Sequence, residues 1–468
     1  MPGYANWEQL YQEEFQAMTQ EGFDTAEASR PESCARPLPF PGQPVTIHDQ
    51  SSERFWEDAY QRLWDIRRKG LRSDFAYVEP IAYKDILSQA APLPDLPPLP
   101  DSEYAVRIAG AVYGRIAGVV LGKPLEMDMD RQRIKEYLES VGEYPLQDYV
   151  SGYSEKLNIR LREDCVPSTR GNIRYVQPDD DIHYTLLALL LAEKKGLQFT
   201  AFDVGANWLD NVPYNWFWCA SRQAYYKMVN LDDSRPREEQ IAEFPWYLNP
   251  WRECIDGQIR CDVWGYLAPG DPIQAAYLAY KDCSFSLAKN GCYGGMFVAG
   301  CIAAALTESP SVTRILDGGL SVIPERSRLA EAIHMVRRQY EKTGDWIAVC
   351  TQIEEVYGHL PFAGTINNLS MTVLALLHGN LDYTKTITTA VMCGIDTDCN
   401  GGTAGSICGA ALGFQGIESR WIEPFQDTIR SSVSEFGQGT ITEVIQRILK
   451  VRRREQALAA DVDGKIYA

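Results

Sequence analysis

Two rows of glycine set the tightest limit on how this chain can fold. Gly110, Gly114, Gly118 and Gly122 lie four residues apart, and so do Gly401, Gly405, Gly409 and Gly413. That spacing puts each row on one face of a helix, where missing side chains let another backbone approach closely. Each interior glycine costs up to ~1 kcal/mol of helix propensity relative to alanine, so eight of them mark a contact that side chains would prevent. In a bilayer such rows read as small-residue packing between spanning helices. Arg107 and Arg115 interrupt the first row, and neither stretch reaches ~18 uncharged apolar residues, so a membrane span is not expected.

Helical periodicity dominates the rest of the chain from about residue 101, with helices expected over 103–122, 181–195, 201–210, 271–281, 294–307, 327–341, 368–379, 384–393, 400–413 and 439–454. Alternating strands are not evident, so the expected fold is all-α. Residues 1–100 read as a helical N-terminal extension. Trp7, Leu10, Tyr11, Phe15 and Met18 recur on one helical face, and Phe55 to Trp64 repeat the pattern. Arg36–Gly42 interrupts them, and the proline-rich stretch 91–100 forms a stiff linker to a domain spanning 101–468. Segment 211–270, rich in Trp, Tyr, Asn and Pro, reads as a long decorated connection.

Charge narrows the function. The 45 Lys and Arg against 63 Asp and Glu leave a net charge of −18, which repels nucleic-acid backbones and anionic lipid. The 12 cysteines form no CxxC pair, and the acidic N-terminus lacks the basic start and apolar core of a signal peptide. Reduced thiols and a cytoplasmic location are therefore expected. With 5 histidines and no HExxH, any catalysis falls to carboxylates.

Two acidic clusters run directly into helices. Asp179, Asp180 and Asp181 precede an apolar helix, and Asp396 and Asp398 precede the second glycine row. Helix capping explains one Asp per helix. If the clusters converge, repulsion of about 4 kcal/mol per pair at ~4 Å and an effective dielectric of 20 forces protonation, solvation or cation binding. Hard oxygen donors favour Mg²⁺, Mn²⁺ or Ca²⁺ over Zn²⁺. Spacing leaves metal binding and capping both open. Glu126, just past the first glycine row, is a further candidate ligand.

At these residues the chain resembles the ADP-ribosylglycohydrolase family. Gly118–Glu126 resembles its GDxxGxxxE segment, Asp179–Ile182 stands where it has TDDT, and Gly394–Asn400 with Ala404–Gly413 resembles GxDTDTxAxxAGAxxGAxxG. Asn290-Gly291 resembles its NG segment, and Asn367-Asn368 an asparagine-rich turn. The resemblance spans roughly 103–415. It implies an all-α fold with two Mg²⁺ or Mn²⁺ ions held by Asp180, Asp181 and Asp398, completed by Asp396, Glu126 and the extra Asp179. Glu126, Asp180, Asp181 and Asp398 are the implied catalytic carboxylates. Asp179, Ile182 and Cys399 replace threonines of the pattern, and Val119 replaces an Asp.

The implied substrate is an ADP-ribose-like small molecule or an ADP-ribosylated protein, cleaved at the anomeric carbon. Asn290, Gly291 and Tyr293 are candidate contacts to it. His183, His359 and Asn367 are candidate pocket residues, each with a structural alternative, and the aromatic run 213–218 either stacks a base or packs. An inactive ligand-binding protein, a small-molecule N-glycoside hydrolase and a two-metal phosphoesterase are the alternatives.

Overall fold

The two glycine rows meet each other. The computed structural model describes Gly3 and residues 5–28, 50–127 and 129–466, so the expected break at Arg36–Gly42 lies outside the described residues. Helices Asp101–Gly122 and Thr397–Leu412 run antiparallel, backbone against backbone. A Cβ on Gly118 would stand 2.0 Å from the Gly401 carbonyl oxygen, and one on Gly114 2.3 Å from that of Gly405. On Gly110 it would meet the Gly409 oxygen at 2.4 Å, and on Gly122 the Thr397 oxygen at 2.2 Å. The contact is reciprocal at Gly401, Gly405 and Gly409. Tyr383 donates from its hydroxyl to the Gly114 carbonyl at 2.8 Å, and Thr397 to the Gly122 carbonyl at 2.8 Å.

Around this pair the fold is all-α, with two short two-stranded ribbons, Tyr153–Ser154 with Ile159–Arg160 and Thr428–Arg430 with Gln438–Thr440. Helix Lys289–Ala305 is buried from end to end, and Thr365–Gly379 nearly so. Such all-round apolar helices belong at a core centre. Asp101–Leu125 is long and apolar enough to cross a membrane by length and composition, yet 78% of its apolar window is buried inside the protein.

Segment 211–270 departs from the expected connection. It holds helices Cys219–Val229, Arg237–Glu243, Asp256–Arg260 and Asp262–Tyr266, and its second half lies in the core, with Gln258 and Trp264 at 0% exposure. All but Cys219–Val229 are too short for periodicity to reveal, and tertiary packing holds them. Helices Tyr83–Ser88, Arg131–Ser140, Val312–Leu320 and Trp346–Tyr357 also went unmarked in the sequence.

The extension is bound by buried charge as well as apolar contact. Helices Trp7–Gln20 and Gln50–Arg68 share a small core of Tyr11, Met18, Phe23, Ala59, Leu63 and Ile66. Arg252, fully buried, donates to Glu14 at 2.8 Å and to Glu21 at 2.6 Å. Residues 91–100 are extended and lie along the body, with Pro98 bridging to Thr307.

Gly118→Ala is expected to lower stability by about 2–3 kcal/mol or more, because its Cβ meets backbone that cannot rotate away. Gly437→Ala, with nothing within 4 Å, is the control and should be near neutral in the same thermal unfolding measurement. A second prediction concerns Glu13, which lines a cleft between the first helix and the body with Gln20, Trp251 and Arg328. Burial pushes its carboxyl up from 4.5 to about 7. The folded state therefore holds the proton more tightly, and this stability is present below pH 4.5 and lost as pH rises through about 7. Glu13→Gln should stabilise the protein by up to about 3 kcal/mol at about pH 8 and change little at about pH 4, read as unfolding temperature.

Candidate metal and active site

The glycine register places the C-terminus of one helix beside the N-terminus of the other. Lys123 and Glu126, just past Gly122, therefore stand over Asp396 and Asp398. Asp398, Asp396 and Glu126 present ligand oxygens within 4.8 Å of one another. Asp179, Asp180 and Asp181 form a second such group, and Asp181, Asp398 and the Cys399 thiol a third that joins them. The two acidic clusters of the sequence and Glu126 form one group in space.

Capping accounts for Asp179 and not for Asp396. Asp179 is the N-cap of Asp180–Lys195 and accepts from the Asp181 amide at 3.0 Å. Asp396 is the N-cap of Thr397–Leu412, but its side chain makes no cap bond. One of its oxygens has no hydrogen-bond partner although the residue is 4% exposed. The turn before it is strained, with Gly394 at φ +80° and Ile395 at φ +62°. A β-branched residue in that region is an outlier that the surrounding structure must enforce.

Three cations enter the cluster. Arg115, 1% exposed, reaches from the first glycine helix to Asp181 at 3.0 Å and Asp262 at 2.9 Å. Lys123 donates to Asp179. Arg162 approaches Glu126 at 3.5 Å. Burial would raise the Asp179 carboxyl, but Lys123 overrides it and holds the group below the usual range. Burial, then Asp179 and Asp398, pushes Asp180 well up. Burial raises Asp396 too, reinforced by Asp398 and Glu126, and it raises Glu126, reinforced by Asp398. Asp181 stays raised by burial despite Arg115. Carboxylates that drive one another toward protonation mark a site short of positive charge. Hard oxygen donors and the orphaned Asp396 oxygen suit a divalent ion.

Asp179, Asp181, Asp396 and Asp398 are buried, while Asp180 and Glu126 are only half-buried and form the more accessible side of the site.

Most of the other candidates are engaged in contacts of their own, and His183 stands beside Asp179. Asn290 is consumed internally: its amide side chain donates to Glu79 and Glu253, each at 2.8 Å, and its oxygen accepts from the Leu329 amide at 3.1 Å. Tyr293 donates to the Pro80 carbonyl. Gly291 lets the Arg252 carbonyl approach, 2.4 Å from where a Cβ would stand. The expected substrate contacts are thus docking points, two of them for the extension itself. His183 accepts from the Ser432 amide at 3.0 Å and sits edge-on to Trp216 at 4.6 Å. Burial pulls its pKa down to about 4, so it is neutral. His359 is exposed in the turn before helix Thr365–Gly379. Asn367 donates to its own turn at Pro361, while Asn368 accepts from Asn400 at 2.8 Å on the second glycine helix. Phe217 stacks on Trp208 at 4.8 Å, so part of the aromatic run packs.

Arg115, Lys123, Arg162 and Asp262 are site residues that sequence reasoning missed. Arg115 read only as an interruption of an apolar run. Lys123 carried a usable signal, lying between the last glycine and Glu126.

An all-α scaffold presenting a largely buried multi-carboxylate cradle at paired helix ends is the class these features define. The ADP-ribosylglycohydrolase family profile matches residues 100–457, so the chain belongs to that family. No curated protein matches it. Among solved structures it is similar to an "ADP-ribosylglycohydrolase-related protein complex", at 16% identity over 75% of this chain and 99% of that one, with a TM-score of 0.44.

Removing Arg115 tests the cradle. Arg115→Met leaves Asp262, 0% exposed, without its countercharge. The expected loss is about 3–5 kcal/mol in chemical denaturation, the usual cost of stranding one member of a buried pair.

Proposed function

We propose that the protein is a divalent-cation-dependent hydrolase that cleaves a glycosidic bond at the anomeric carbon of an ADP-ribosyl or related ribosyl substrate. The observation that carries this reading is the convergence of Glu126, Asp396 and Asp398 with Asp179–Asp181 in one cluster. Family membership supplies the substrate class.

The residues divide the work by burial. Asp396 and Asp398 form a rigid floor that would hold a cation, with Asp181 locked in place by Arg115. A bound divalent ion supplies positive charge that polarises hydroxyls and lowers the pKa of water. Asp180 and Glu126, on the more accessible side, face the incoming sugar. Negative charge there favours the oxocarbenium character that develops at the anomeric carbon, and burial with the neighbouring acids raises the Asp180 carboxyl above the usual carboxylate range, which suits a group that passes a proton.

One observation favours a variant of this reading. With Asn290 and Tyr293 committed to the extension, substrate recognition is expected to rely on other groups. A small-molecule N-glycoside is therefore a competing substrate to an ADP-ribosylated protein.

The assay offers ADP-ribosyl-arginine and ADP-ribosyl-serine peptides alongside simple nucleosides and follows released products. Free ribosyl product, abolished by EDTA and reduced at least about a hundredfold in Asp398→Asn, is the expected result. Tight binding without turnover would instead make the protein a binder, and release of AMP would make it a phosphoesterase.

A further inference from the structure

The carboxylates of the site differ in what already occupies their oxygens, and this bears on the number of ions, given the cation-dependent reading above. Asp179 gives one oxygen to the Asp181 amide at 3.0 Å and the other to the Lys123 ammonium. Asp181 gives one oxygen to Arg115 at 3.0 Å and the other to the Cys399 thiol at 3.2 Å. An ion entering between them would displace an ammonium, sit beside a guanidinium, and meet sulfur where a hard cation takes oxygen.

The other group is freer of cations, although Asp398 accepts from the Cys399 amide at 2.9 Å. Glu126, Asp396 and Asp398 bring oxygens within 4.8 Å of one another. Among the described residues, one Asp396 oxygen is buried without a hydrogen-bond partner, and Glu126 meets the long contact to Arg162 as its ion pair. No lysine pairs with any of these three carboxylates among the described residues.

We propose that the Lys123 ammonium takes the place of one cation, and that the protein holds a single divalent ion, between Glu126, Asp396 and Asp398. This revises the two-ion expectation drawn from the family resemblance. Lysine suits the substitution because its ammonium is a compact point charge on a flexible stem. Asp179 completes it, supplying a carboxylate where the family's pattern has threonine.

The experiment loads the full-length protein with Mn²⁺, removes excess ion, counts manganese by elemental analysis and records its electron paramagnetic resonance spectrum. One ion per chain with the six-line spectrum of an isolated Mn²⁺ is expected. Two per chain with an exchange-coupled spectrum would overturn the proposal while leaving the hydrolase reading standing; no bound ion would overturn both. Asp396→Asn should weaken binding at least about tenfold and Asp179→Asn should retain the ion, with circular dichroism confirming that each is folded. The reverse pattern would refute the assignment of the ion's position. Lys123→Gln should take up a second ion, and a count that stays at one in that folded variant would refute the stand-in role of the ammonium.

Discussion

The structure depends on a contact between two backbones. Helices Asp101–Gly122 and Thr397–Leu412 approach so closely that a single Cβ would overlap a carbonyl oxygen at each of four levels. Glycine weakens an isolated helix, and here tertiary packing offsets that loss. The return is positional. Because the register ends with Gly122 against Thr397, the residues that follow one helix are held over the residues that begin the other. Glu126 and Asp398, 272 positions apart in sequence, share one site for that reason.

Buried charge in this protein is of two kinds. Arg252 with Glu14 and Glu21 is a satisfied group in which both signs are present at close range. Such groups hold parts of the chain in one arrangement, and stability suffers when either partner is lost. The carboxylate cluster differs because acids outnumber their cations and one oxygen of Asp396 is left over. A leftover buried acceptor beside mutually repelling acids sets this cluster apart from that network.

The extension alters the meaning of a motif. Asn290 and Tyr293 stand in the segment that resembles the family's NG motif, but Glu79 and Pro80 have taken their hydrogen bonds. Arg328 ties the same place together, pairing Glu79 at 2.8 Å and Glu253 at 2.7 Å. A motif names residue types, and each side chain's polar atoms can be spent only once. In this chain those atoms are spent on docking the N-terminal segment.

Much of the helical core was legible in sequence, since Gly110–Gly122, Ile182–Ala192 and Gly401–Gly413 show their faces by spacing alone. The acidic residues were also legible, because consecutive aspartates before apolar helices exceed what capping needs. Periodicity was silent on short helices such as Asp256–Arg260, which exist only because the surrounding core holds them. Charge pairing was silent for another reason. Arg115 to Asp262 and Lys123 to Asp179 join residues far apart in the chain, and no local rule says which acid a buried cation will meet. The sequence by itself determined that two glycine-faced helices must touch backbone to backbone and that aspartates begin the helices beside them. Only the tertiary structure decided which of those aspartates are already neutralised by the protein's own cations and which are left facing one another, because that depends on distances set by packing.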